Sequence, residues 1–114
     1  MSNVKQQGLL TAEFLVSEGE GQISRDRIVV KAGAALPAGQ VLGLTSTGEY
    51  APYDNAANDG SEVAAGVLYA ALPASDAPRP ATAIVRLAEV AGALLTGLDV
   101  TGRGDLAERH VIVR

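Results

Sequence analysis

At 114 residues, 47% of them apolar, the chain has the length and composition of one globular domain, too short for a second core. Nine basic against thirteen acidic side chains leave a net charge of −4, which argues against the clustered cationic face that nucleic-acid binding needs. The absence of cysteine excludes a disulfide framework and any thiolate metal site, and it leaves the redox compartment open. The ring-bearing side chains are Phe14, Tyr50, Tyr53 and Tyr69 only. A core of Val, Leu, Ile and Ala buries less area per residue than an aromatic one. At about 25 cal/mol per Å² it leaves little margin over chain entropy, so self-association is a natural remedy.

In chain order, residues 1–27 differ from the rest. Met1–Gln7 is polar with a single Lys and does not read as a signal peptide, and the apolar patch Leu9–Val16 holds Glu13 and is too short to span a bilayer. Ser17-Glu18-Gly19-Glu20-Gly21 is an acidic, glycine-rich link. Leu9–Val16 has two readings: the first strand of the domain, or an arm that is loose in the free protein and orders against a partner. In the second, Leu9, Leu10, Phe14 and Val16 are the contact residues, and the arm adds as a strand to an exposed sheet edge. Ordering about nine backbone residues costs roughly 9–18 kcal/mol. Burying those four side chains returns about 6–12 kcal/mol. One arm alone therefore binds weakly, whereas linked arms turn later contacts into intramolecular events.

From Ile28 the pattern is of short strands cut by turns, and residues 28–114 read as one β-rich domain. The expected strands are Ile28–Ala32, Gln40–Thr45, Glu49–Tyr53 and Val63–Ala71. The residues expected to turn the chain are Pro37 and Gly39 before the second strand, Gly48 after it, and Gly60 closing a polar loop from Asp54. Pro73, Pro78 and Pro80 bracket a turn-rich segment, since proline has no N–H for a ladder. Ala81–Glu89 reads as one strand with Arg86 and Glu89 facing water. Val90–Leu98 reads as a short helix weakened by Gly92 and Gly97. Asp105–Arg109 reads as one or two helical turns, and His110–Val113 as a last strand.

The constellations that carry chemistry are thin. His110 is the single histidine, so a histidine metal site or a triad lacks partners. Asp54, Asp59 and Glu62 gather at a turn and read as a solvated acidic loop, and Asp54 to Gly60 fails the calcium-loop spacing. Gly102-Arg103-Gly104-Asp105-Leu106-Ala107 mimics a dinucleotide fingerprint, but the chain ends before a βαβ unit closes. The Arg103-Gly104-Asp105 tripeptide within it reads as an exposed loop tip. Tyr50 and Tyr53, three apart around Pro52, point to opposite faces of an extended segment. One is expected to pack and the other to lie at a rim or interface. No enzyme, no cofactor, no metal and no membrane association is expected.

A resemblance is carried by three pieces in order. They are Leu36-Pro37-Ala38-Gly39-x-Val41-Leu42-Gly43, then Thr47-Gly48-x-Tyr50-x-Pro52-Tyr53-Asp54, then Asp59-Gly60-Ser61-Glu62-Val63-Ala64-x-Gly66-Val67-Leu68. This order is similar to the phage lambda type of head decoration protein, over about Ile28 to Arg114. The resemblance implies a mainly β fold with short α-helices in a β-clip-like arrangement, preceded by a flexible N-terminal arm of residues 1–27 that engages capsid subunits. It implies a homotrimer on the outer surface of the expanded head, at three-fold and quasi-three-fold positions. There it binds the major capsid protein and stabilises the shell against genome pressure, after synthesis in the host cytoplasm. It also makes Val90–Leu98 an irregular segment beneath the sheet. Where the family commonly has glycine between helix and last strand this chain has His110, a residue that tolerates positive φ. The alternative is a monomeric small-ligand or carbohydrate-binding β module, since the Leu-Pro-Ala-Gly-x-Val-Leu turn also occurs in antifreeze-like lid domains of sugar-acid synthases.

Overall fold

The computed structural model of the chain describes residues 15–18 and 24–114. Eight strands run in chain order: β1 (Leu15–Glu18), β2 (Arg25–Val30), β3 (Val41–Leu44), β4 (Tyr50–Pro52), β5 (Ala64–Leu68), β6 (Arg79–Ile84), β7 (Ala88–Val90) and β8 (Val111–Val113). One 3₁₀ turn (Gly92–Leu94) and one α-helix, α1 (Val100–Ala107), lie between β7 and β8. Among the described residues the fold is mainly β with a single short helix.

Strands β2-β4-β3-β5-β6 close into a barrel, and β1-β7-β8 form a second, three-stranded sheet. The barrel is antiparallel except where β2 meets β4 through the pair Val30 and Tyr50. The longest ladder is β2 on β6, from Arg25 opposite Ile84 to Val30 opposite Arg79.

Two apolar clusters explain the strand patterns. Ile28, Val30, Leu36, Leu42, Leu68, Ala83 and Val85 fill one. Val41, Tyr53, Val67, Ile84, Val90, Leu106, Val111 and Val113 fill the other, between the barrel, the second sheet and α1. Successive residues of β3, β5 and β6 go to opposite clusters: Val41 and Leu42, Val67 and Leu68, Ile84 and Ala83. Both faces of β5 are therefore buried, which is why Ala64-Ala65-Gly66-Val67-Leu68 is an unbroken apolar run and not an alternating one. On β2 the inward residues Ile28 and Val30 alternate with Val29, which is 43% exposed.

The turn residues sit where backbone geometry requires them. Gly39 has φ +90° in the turn closed by the Gln40 N–H donating to the Pro37 carbonyl (3.2 Å), the position where a type II turn needs glycine. Gly48 has φ +91° after the turn in which its N–H donates to the Thr45 carbonyl (3.0 Å). Gly60 has φ +109° at the end of the acidic loop.

Three expectations are corrected. The single strand Ala81–Glu89 is two, β6 and β7, because Leu87 takes φ +55° and hands the chain from the barrel to the second sheet. Ser24 anchors this switch: its carbonyl accepts from the Val85 N–H (2.9 Å) and its hydroxyl donates to the Leu87 carbonyl (3.2 Å). The helix expected over Val90–Leu98 shrinks to Gly92–Leu94, since Thr96 is drawn into extended pairing with Gly39 and Val41. The helix begins at Val100, five residues before the expected Asp105, so Arg103-Gly104-Asp105 lies within α1 and is not a loop tip. His110 does take the left-handed conformation, at φ +62° between α1 and β8.

Candidate functional site

Of the residues expected to contact a capsid, Leu9, Leu10 and Phe14 lie outside the described residues, and Val16 falls in β1. That strand pairs antiparallel with β7, Leu15 opposite Val90 and Glu18 opposite Ala88, with a register shift between Leu15 and Ser17. It is an edge strand of its sheet, and Leu15 is half-buried against the second cluster. The chain thus enters the described fold along a sheet edge, held there by a ladder and one apolar side chain. β2 follows from Arg25 and is a full member of the barrel.

The charged side chains of the body mostly hold its own loops. In the acidic loop, Asp54 accepts from the Ala56 N–H (3.0 Å), and Asp59 from the Ser61 N–H (3.0 Å) and hydroxyl (2.6 Å). Asp105 reaches from α1 to accept the Ala64 N–H (3.0 Å) at the head of β5. Arg86 and Asp26 form a surface ion pair at 2.9 Å, and Arg114 grips Glu89 with two nitrogens at 3.0 and 3.2 Å. Arg25 stacks over the Tyr69 ring, 4.4 Å from its centroid. An open groove of about 280 Å³ runs beside this pair, lined by Arg27, Leu72, Pro80 and Thr82 among others. Among the described residues no group of His, Cys, Asp or Glu is gathered to hold a metal ion, and no helix is long and apolar enough to cross a membrane.

Sequence reasoning missed Asp99, which joins the helix to the barrel. As the N-cap of α1 its Oδ1 accepts the Gly102 N–H (2.7 Å) and the Tyr53 hydroxyl (2.8 Å), while Oδ2 accepts the Asn55 side-chain amide (2.6 Å). Gly102 fits because a Cβ there would lie 3.0 Å from the Tyr53 ring. Burial, and then the bond to Asp99, push the Tyr53 hydroxyl up to about 12. Tyr53 is the packed member of the tyrosine pair, and Tyr50 is half-buried against the other cluster. An Asp ahead of a Val-Thr-Gly start is the signal that would have found this cap.

The Gly102 N–H, then the Tyr53 hydroxyl and Asn55, hold the Asp99 carboxyl below its usual range. A carboxyl depressed in the folded state contributes stability above its unfolded pKa and loses it as pH falls through the folded value. Asp99→Asn keeps a capping oxygen and removes the charge. Its melting temperature is expected to lie below the native one by a constant gap above about pH 5, a gap that narrows below about pH 4. Scanning calorimetry across that range checks this, and a gap independent of pH would refute it.

What the molecule offers outward is surface: strand edges, loops, and the exposed apolar side chains of Leu87, Ile112 and Val100. The described fold is a small, mainly β barrel whose polar side chains largely brace its own loops. The family model for the bacteriophage lambda head decoration protein D matches residues 4–111, and the chain belongs to that family. It is a structural protein of the phage head, a virion component that associates with the capsid. No curated protein and no solved structure matches the chain.

Proposed function

We propose that the chain acts as a trimeric cement on the outer surface of the expanded head. It sits at three-fold and quasi-three-fold positions and braces the shell against genome pressure. The partner is the major capsid protein, engaged through the leading segment with Leu9, Leu10, Phe14 and Val16 as contacts, and the protein is made in the host cytoplasm before assembly. The observation that carries this reading is the extent of the family match, which begins at residue 4 and so takes in the leading segment together with the barrel. The edge position of β1 supports it, because an edge strand presents an open ladder to which a partner's segment can pair. Physical arithmetic favours a trimer: one segment alone binds weakly, and linking three turns the second and third contacts into intramolecular events.

The test is a deletion of residues 1–14, which leaves β1 intact. The truncated chain is expected to keep its self-association, measured by light scattering after size exclusion. It should bind expanded shells more weakly by about a hundredfold or more, the scale of avidity for linked contacts. Undiminished shell binding would sink the role of the leading segment. A native mass of one chain at micromolar concentration would separately sink the trimer.

A further inference from the structure

We propose that Asp59–Gly60 is a latent isomerisation site, whose conversion to isoaspartate is suppressed by the hydrogen bonds that Ser61 and Glu62 close around it. Of the thirteen glycines, Gly60 alone follows an Asp or an Asn. An Asp-Gly pair is prone to spontaneous rearrangement because no side chain shields the glycine amide. In that reaction the Gly60 nitrogen attacks Cγ of Asp59. The new N–C bond forms as the amide proton and the carboxyl hydroxyl leave together as one water, closing a succinimide. Water then adds back, and breaking the imide bond to the main-chain carbonyl leaves the chain running through the side chain of residue 59. The sum is an isomerisation that needs no oxidant, reductant or co-reactant beyond water.

Two conditions govern the ring closure, and the loop opposes both. The carboxyl must be protonated for water to leave, yet Asp59 Oδ1 accepts the Ser61 N–H at 3.0 Å and its hydroxyl at 2.6 Å. These bonds, the hydroxyl's first, hold the Asp59 carboxyl below its usual range. The Gly60 nitrogen must also shed its proton, yet its N–H donates to Glu62 Oε1 at 2.8 Å. Negative charge developing on that nitrogen would face a carboxylate. A third bond, from the Ser46 N–H to the Asp59 carbonyl (2.8 Å), resists the swing of the peptide toward Cγ.

The fold leaves no simpler escape. Gly60 holds φ +109°, and a Cβ there would lie 2.5 Å from the Leu44 carbonyl oxygen, so a shielding side chain after Asp59 is forbidden. The reactive residue is required, and its neighbours restrain the reaction. An isoaspartate would insert a backbone atom where the loop crosses Leu44–Ser46 with no slack.

The test follows isoaspartate at residue 59 in the full chain at physiological temperature and pH, by enzymatic methylation and by fragmentation mass spectrometry. Folded native protein is compared with the same chain held unfolded in urea, and with folded Glu62→Ala, Glu62→Gln and Ser61→Ala, whose folding is checked by circular dichroism. The native fold is expected to form isoaspartate about a hundredfold more slowly than the unfolded chain. Glu62→Ala and Ser61→Ala should each recover about tenfold, the scale of losing one hydrogen bond to a charged group. Equal rates in the folded and unfolded chain would overturn the proposal even if every variant fails to fold. So would a Glu62→Ala rate at or below the native one.

Discussion

Gly43→Ala is expected to cost about 3 kcal/mol, the upper end for a methyl group forced into a packed site. In a domain of this size that is about 10–20 °C in melting temperature. The added Cβ would lie 2.5 Å from both Cα and the carbonyl oxygen of Ser61 and 2.8 Å from its carbonyl carbon. All three are backbone atoms, so no side-chain rotation relieves the clash. Ser61 is itself pinned: its carbonyl accepts the Asp54 N–H (3.1 Å), and next to it the Ser46 N–H holds the Asp59 carbonyl (2.8 Å). Gly43 also marks the register shift between β3 and β5, where the ladder steps from Leu42 opposite Gly66 to Gly43 opposite Ala64. Here the acidic loop lies directly on a barrel strand, and only a residue without a side chain lets it do so.

Gly104→Ala supplies the contrast. Gly104 lies in α1, and a Cβ there meets nothing within 4 Å. Removing a helical glycine with open space around it is expected to add about 0.5–1 kcal/mol. Urea unfolding of both variants checks the pair. A Gly43→Ala chain that unfolds with the native midpoint would show that the loop lifts from β3 without cost.

The contrast also shows what was legible in the sequence. The turns at Gly39, Gly48 and Gly60 were readable because Pro, Gly and Asx residues punctuate short apolar runs. The strand at β5 was readable within the expected Val63–Ala71. The switch at Leu87 was not, because a leucine in the left-handed region has no local signature, and its conformation is imposed by Ser24 from far along the chain. The start of α1 was hidden for a related reason. Gly102 and Gly104 argue against a helix locally, and the cap at Asp99 with the Tyr53 ring over Gly102 overrides them. The contact residues Leu9, Leu10, Phe14 and Val16 were chosen for their apolar pattern, and the use of the first three on a shell rests on the deletion described above.

Arg79→Met is the second large effect, expected at about 2–4 kcal/mol and confined to one end of the barrel. Arg79 stands between Pro78 and Pro80, in a segment that reads as turn, and gives no hint of a buried role. Yet it is only 6% exposed, and its guanidinium spans three carbonyls: Lys31 at 2.6 and 3.2 Å, Ala34 at 2.8 Å and Pro73 at 2.9 Å. The fork thus staples the 31–36 and 72–79 loops, which also meet through Gly33 with Ser75 and Leu36 with Leu72. Removing it leaves those carbonyls without their charged donor, with water reaching the exposed loops to offset part of the loss. Hydrogen exchange separates this from a general loss of stability: the amides of Gly33, Leu36, Leu72 and Ser75 should lose protection while Tyr53 and Leu68 in the barrel wall keep theirs. Arg79→Lys should recover only part of the effect, since an ammonium is a point donor and cannot span three carbonyls at once. If lysine restores full protection, charge alone holds the loops and the planar fork is irrelevant. If methionine leaves all four amides protected, the backbone bridges suffice without it.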